Sequence, residues 1–348
     1  MKNKGLIVTC LSGTALEWFD FSLFGIMSPI LAELFFPSGN KTVSLLKVFI
    51  VFSIGFLVRP IAAFYWGYLG DKVGRKKTII LIVVLMTISS VAIGLLPTYE
   101  SIGIASTVLL VMFRLMQGFS ASGEHAGMLA YLYESSPREK KSFFSSISIA
   151  GVFVGMALAT LFSLLVRVGL SKADLVSWGW RVPFLFSSVL GVVAFILRVK
   201  LLESDQFSEY IKSRNSLSTN RWAYTLLESK KQIIKGIGVF QLAVVIPYVI
   251  FVYMVAHAVK ILALDPDNVY LLTFINLFLT AVLVIYFGFL GSKIKSWSQP
   301  FSIICLGVGS IFLFHWLYGE SLAKYFIAQL YFGLGLFISL CKSRQSEL

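Results

Sequence analysis

Apolar residues in this chain fall in long unbroken runs rather than in alternation with polar ones. Ten such runs, separated by polar breaks, occupy about 6–36, 44–69, 78–96, 102–133, 143–170, 182–199, 233–262, 269–290, 300–318 and 322–341. Roughly twenty apolar residues let a helix cross a bilayer, whereas a membrane barrel shows ~10-residue segments of alternating polarity. The pattern therefore predicts an all-α integral membrane protein with about ten spans. The longest polar stretch, 200–232, carries mixed charge with several Ser and Asn. It is expected to be a cytoplasmic linker between a six-helix bundle (1–199) and a four-helix C-terminal half (233–348). The basic start, Met1-Lys-Asn-Lys4, precedes an apolar run too long for a cleaved signal peptide, so that run is read as a retained first span.

Composition agrees: 57% hydrophobic and 14% charged residues exclude a water-soluble globule. The net charge of +13 would suit a nucleic-acid partner, but its distribution says otherwise. Of the 30 Lys and Arg, twenty-one lie in loops on the N-terminal side and seven on the opposite side. Arg59 and Arg114 fall inside spans. This asymmetry places both termini in the cytoplasm and accounts for the basic excess without nucleic acid. The three cysteines, Cys10, Cys305 and Cys341, sit in or beside apolar runs with no metal-ligand spacing. The polar segments hold no nucleophile–base set, nucleotide loop or metal cluster. Neither an enzyme nor a cofactor is expected.

The chemistry lies inside the spans. Glu17 and Asp20 are about 16 and 21 Å along the first run at ~1.5 Å per residue, near mid-bilayer. An ionisable side chain there is costly and marks a substrate or proton pathway. Their i, i+3 spacing puts both on one helix face, which must look into protein or water. Arg59 lies ~22 Å down the second run and Arg114 ~18 Å down the fourth, so Asp20 and Arg59 match best in depth. Arg114, Gln117, Ala121 and Glu124 form one stripe on the fourth run, with His125 beside it. Gly151, Gly155 and Ala159 make a small-residue face for close packing on the fifth.

The loop between spans two and three reads Gly67-Tyr-Leu-Gly70-Asp71-Lys72-Val-Gly74-Arg75-Lys76-Lys77. Its glycines permit a tight turn and close helix approach. This loop resembles the signature of the major facilitator superfamily, where it latches cytoplasmic helix ends as a carrier alternates between inward and outward states. Leu16-Glu17-Trp18-Phe19-Asp20-Phe21 is similar to the metabolite:proton symporter branch, which includes proline/betaine and alpha-ketoglutarate carriers. So are Arg114-Leu-Met-Gln117-Gly118-Phe119-Ser120-Ala-Ser-Gly123-Glu124, Trp178-Gly-Trp180-Arg181-Val-Pro183-Phe184 and Glu203-Ser204-x-x-Phe207. No Gly-Pro pair accompanies the span-five face, which departs from drug/proton antiporters and leans the reading to symport.

The resemblance implies a major-facilitator helical bundle in a bacterial inner membrane, taking up a small carboxylate-bearing solute with a proton. Arginines stay charged and call for an anion opposite them, a carboxylate of the chain or of the solute. Burial favours a protonated carboxyl and a neighbouring guanidinium an ionised one, and that competition can load and release a proton. Glu17, Glu124 and His125 are the candidates for proton coupling, being farther from the arginines. Asp20, Arg59, Trp18 and Gln117 are the candidates for solute contact, with Asp20 also an ion-pair partner, and Arg114 for a coupling or structural charge. Trp18, Phe19, Phe24 and Tyr65 could wall a quaternary ammonium. Gly67, Gly70, Asp71, Gly74, Arg75 and Lys76 are the latch. His257 and His315 are read as packing.

The family pattern has twelve helices, and ten are read here. The loop Gly288-Phe-Leu-Gly291-Ser292-Lys293-Ile-Lys295 stands at the second latch with Ser292 where an acid is expected. Two readings stay open: a carrier that works with ten helices or pairs with a second copy, and a shortened, non-transporting relative with a scaffolding or binding role.

Overall fold

Prolines break the first two spans, and the breaks aim the charged residues. The computed structural model describes residues 2–135, 141–200, 247–260, 264–290, 321–324, 327 and 329. Helix α1 (Lys2–Ile26) stops at Met27, and α2 (Ser28–Phe35) leaves at 62° to it. Pro29 has no N–H for the carbonyl of Gly25, and the Ile30 N–H turns to Met27 O at 3.0 Å. The Ile26 carbonyl is thereby released from the helix ladder. Helices α3 (Lys41–Leu57) and α4 (Arg59–Val73) join at Val58, with Pro60 in the first turn of α4, and make one span. Asn40 caps α3 by accepting from the Thr42 N–H at 2.9 Å.

The chain continues through α5 (Arg75–Leu95), the single turn α6 (Tyr99–Ile102), α7 (Ile104–Ser135) and α8 (Lys141–Gly169). A short α9 (Lys172–Asp174) and a π-helical turn (Leu175–Gly179) lead into α10 (Arg181–Val199). A second π segment (Val249–Tyr253) runs into α11 (Met254–Lys260), followed by α12 (Pro266–Leu290). Among the described residues there is no strand. Six helices among the described residues are long and apolar enough to cross a membrane, seven with the bent α1–α2 pair. The first six predicted runs and the eighth agree with these helices to within a few residues. The linker 200–232, the loop 291–295 and the runs 300–318 and 322–341 lie wholly or largely outside the described residues.

Between helices in lipid there is little hydrophobic drive, so close backbone packing and buried polar contacts hold the bundle. Helix α8 sits between α1 and α12 and has 67% of its span residues buried, against 22% for the second span. The small-residue face predicted on α8 makes this possible. A Cβ on Gly155 would collide with the Ala15 carbonyl, one on Gly151 would lie 3.0 Å from Thr14, and Ala159 is fully buried. Helices α3 and α7 cross in the same way, since a Cβ on Gly118 would strike the Gly55 carbonyl. The Trp-Arg motif before α10 turns out to be a cap. Arg181 Nη1 donates to Gly94 O at 2.9 Å and Leu96 O at 2.7 Å, satisfying the last carbonyls of α5. Trp180 is fully buried against Phe35 and Phe184.

Candidate functional site

Four charged residues and their partners meet in the protein interior. Glu17, Asp20, Arg114 and Gln117 are at most 1% exposed, so the polar faces of α1 and α7 look inward and not to lipid. Their pairing differs from the depth estimate. Arg59 Nη2 lies 3.6 Å from Glu17 Oε1, while its guanidinium covers the rings of Phe21 (4.2 Å) and Phe56 (4.7 Å). Arg59 thus pairs with Glu17, not Asp20. A residue's depth along a straight helix locates its Cα and not its charged head. The break at Val58 and the length of the arginine stem move the charged head about a helical turn. Glu17, expected to stand farther from the arginines, is the acid held by one.

Asp20 sits instead in a hydroxyl cradle. Ser90 Oγ on α5 donates to Asp20 Oδ2 at 2.6 Å, and Ser187 Oγ on α10 donates to Oδ1. Gln117 Nε2 donates to Ser90 Oγ at 2.7 Å, and Arg114 Nη1 donates to Gln117 Oε1 at 3.1 Å. Four helices are therefore joined by one polar chain, Arg114–Gln117–Ser90–Asp20–Ser187. The Arg114 guanidinium is stacked over Phe21 (4.0 Å), Phe24 (4.5 Å) and Phe52 (4.9 Å), where cation–π attraction replaces part of its hydration. Its Nε and Nη2 have no hydrogen-bond acceptor.

From beyond the predicted linker comes Tyr248. Its ring stacks on Trp18 at 5.3 Å and meets Phe52 and Phe56 edge-on at 5.5 and 5.2 Å. Phe52 also lies under the Arg114 guanidinium and Phe56 under that of Arg59, so Tyr248 stands next to both arginines. It precedes the π segment Val249–Tyr253, a local widening of the helix that recurs at functional sites. Gln329 Nε2 donates to Ile250 O within that segment at 3.2 Å, and Asn276 Nδ2 donates to Gln329 Oε1 at 3.2 Å. Tyr248, Ser90, Ser187 and the Phe21–Phe52–Phe56 set were not singled out in the sequence. The Ser89-Ser90 and Ser187-Ser188 pairs inside apolar runs were the available signal.

The other predicted residues scatter. Phe19 packs on Phe162 and Phe186, and Phe24 lies beneath Arg114. Tyr65 is half exposed in a separate cluster with Trp66 and Phe119, where Trp66 Nε1 donates to Phe119 O at 2.6 Å. The α7 backbone carries Glu124 and His125, but their side chains, and that of Arg75, lie outside the described ones.

In the loop between α4 and α5, Gly74 makes the turn: it has φ +102° and ψ +149°, and Thr78 Oγ1 donates to its carbonyl at 2.9 Å. Gly70 is buried beside Thr78, Asp71 is exposed and Lys76 half-buried. Gly67, expected to allow close approach, has open space around it. Gly74→Ala forces a Cβ into a backbone region that is nearly glycine-only, at a cost of about 1–3 kcal/mol. A lowered melting midpoint of the purified protein is expected, and Gly67→Ala is expected to melt as the parent does.

At the end of the bundle away from the N-terminus, α12 ties to α8 and α1. Arg167 Nε lies 3.2 Å from Asp267 Oδ1, and Tyr270 Oη donates at 3.3 Å to Ile26 O, the carbonyl released by the proline break.

Residues 10–343 match the sequence profile of the Major Facilitator Superfamily. The chain is 36% identical over 214 residues to the proline/betaine transporter of Escherichia coli (strain K12), covering 60% of this chain and 42% of that one. It is 35% identical over 269 residues to the citrate-proton symporter of Klebsiella pneumoniae, covering 77% and 60%. The chain thus spans less than half of the first relative's length and three-fifths of the second's. Its fold is that of the E. coli xylose transporter XylE in a partially occluded inward-open conformation, at TM-score 0.74 and 15% identity over 97% of this chain and 82% of that one. With bent helices, small-residue crossings and sequence all agreeing, this chain belongs to the major facilitator superfamily.

Proposed function

We propose that this chain is a secondary carrier that moves a small carboxylate-bearing solute together with a proton across a bacterial inner membrane, with the N-terminus in the cytoplasm. The observation that carries the reading is the buried set Glu17, Asp20 and Arg114 with the half-buried Arg59, met by Tyr248 from the other half. Such charges are retained inside a membrane where they bind or move charge. The names of the relatives support the same class: one is a proline/betaine transporter and another a citrate-proton symporter.

Asp20 takes the proton. Two hydroxyls hold its carboxyl in place, no cation lies within ion-pair distance among the described residues, and a hydroxyl can either donate to or accept from the group it faces. Glu17 instead stays ionised against Arg59. The polar chain through Ser90 and Gln117 links the charge on Asp20 to the orientation of Arg114, which faces the solute. The Arg167–Asp267 and Tyr270–Ile26 contacts close one end of the bundle and open when the halves rock. The loop with Gly74 works as the latch at the opposite end.

The test is uptake of labelled proline, glycine betaine, alpha-ketoglutarate and citrate into membrane vesicles carrying the protein, driven by an imposed proton gradient. Accumulation of at least one solute that a protonophore abolishes is expected. Correct insertion with no uptake of any of them overturns the carrier reading.

A further inference from the structure

The carrier reading leaves the solute class open between one, two and three carboxylates, and the interior offers a way to narrow it. Two guanidinium groups and two carboxylates meet at the described site, and the two cations are not equivalent. Arg59 faces Glu17 at 3.6 Å, whereas Arg114 spends one nitrogen on the neutral Gln117 and keeps Nη2 without an acceptor. Arg114 Nε faces the backbone crossing at Gly55, where a Cβ would lie 3.1 Å from it, which leaves Nη2 as the donor open to a guest. Two more buried donors stand in the same aromatic shell without acceptors: Tyr248 Oη, on a residue 8% exposed, and Trp18 Nε1, on one 5% exposed. Buried N–H and O–H groups are rarely left this way, because each costs the hydrogen bond it gave up in water. Three of them around one ring stack, none with a hydrogen-bond acceptor among the described residues, describe a place made for acceptor oxygens.

Resting on the carrier reading, we propose that Tyr248, Arg114 and Trp18 form the seat of a single carboxylate, and that the solute is a monocarboxylate, zwitterionic or simple. Charge arithmetic on the described residues points the same way. With Glu17 and Asp20 ionised, the two arginines are neutralised. When Asp20 takes its proton, one positive charge is left over, which one solute carboxylate offsets locally, a zwitterion's own cation lying over the aromatic rings. A di- or tricarboxylate would bring further negative charge to a site whose other guanidinium, Arg59, already faces Glu17, and unpaired buried charge is strongly disfavoured. Tyr248 is the only one of the three seat residues supplied by the C-terminal half. Carboxylate binding therefore bridges the halves and couples occupancy to their movement.

The experiment compares the parent with Tyr248→Phe in vesicles, using labelled proline and glycine betaine as probes and unlabelled citrate as competitor. Loss of a hydrogen bond to a charged group corresponds to about a tenfold or larger change in affinity. The Tyr248→Phe protein is therefore expected to show KM raised about tenfold or more for the transported monocarboxylate, with kcat little changed. Citrate is expected not to compete. A melting curve of each purified protein separates this from misfolding, since a phenyl ring keeps the stack on Trp18. Trp18→Phe, which keeps an aromatic face and removes only the indole N–H, gives a second and smaller rise in KM. If the parent transports a probe but Tyr248→Phe leaves KM unaltered, or if citrate competes as well as the monocarboxylate, the seat is wrong while the carrier stands. If the parent neither transports nor binds any probe, the carrier reading falls and takes the seat with it.

Discussion

Asp20→Asn is expected to abolish accumulation of solute against its gradient while solute exchange down a gradient persists. Asparagine keeps the size of the side chain and an acceptor oxygen, and the amide can donate where the carboxylate accepted. Ser90 and Ser187 rotate their hydroxyls to match, so the four-helix junction is retained. What the substitution removes is the ability to gain and lose a proton. The site is fixed in the electrical state of the loaded carrier, which binds solute and reorients but draws no work from the proton gradient. The measurement is paired: gradient-driven uptake falls to background, and counterflow of labelled against unlabelled solute continues. Ser187→Ala is the milder companion. It deletes one donor to Asp20, a loss of about 1.5–3 kcal/mol for a hydrogen bond to a charged group, and lowers coupling without erasing it. Full accumulation by the Asp20→Asn protein would transfer the proton to Glu17 or Glu124, the acids that the sequence favoured.

That reversal between Glu17 and Asp20 shows what the sequence could and could not convey. Span positions were legible because twenty apolar residues between polar breaks have few other uses, and α5, α8 and α10 lie where the runs predicted. The inward facing of Glu17, Asp20 and Arg114 was legible as well. Partner choice was not. It depends on two proline breaks, at Met27 and Val58, that rotate and shift helices by amounts no periodicity encodes. It depends also on the reach of an arginine stem, which spans the difference between Glu17 and Asp20. The serines that cradle Asp20 were hidden because a hydroxyl in a membrane helix usually bonds its own backbone, as Ser89, Thr87 and Thr160 do here. Tyr248 was hidden for another reason: its role comes from packing against helices more than 180 residues away in sequence.

Arg59→Ala separates the two acids from the other side, and a large loss is expected. Glu17 is 1% exposed and faces the Arg59 guanidinium, so deleting that group leaves a carboxylate in the interior with its cation removed. Breaking a buried ion pair from one side costs about 3–5 kcal/mol, and the 14% exposure of the Arg59 side chain puts this case at the lower end. The rings of Phe21 and Phe56 lose their cation as well, adding about 0.5–2 kcal/mol. The Arg59→Ala protein is thus expected to insert poorly or melt well below the parent. Glu17→Gln/Arg59→Gln removes both charges at once and is expected to recover much of the stability, since a neutral pair strands neither member. The decisive comparison is between that double variant and Asp20→Asn. With Glu17 as a fixed counterion, the double variant regains a melting point near the parent's and still accumulates solute with the gradient, because Asp20 is untouched. Were Glu17 the proton carrier, the double variant would fold yet accumulate nothing, and Asp20 would be left as a structural anchor for α5 and α10.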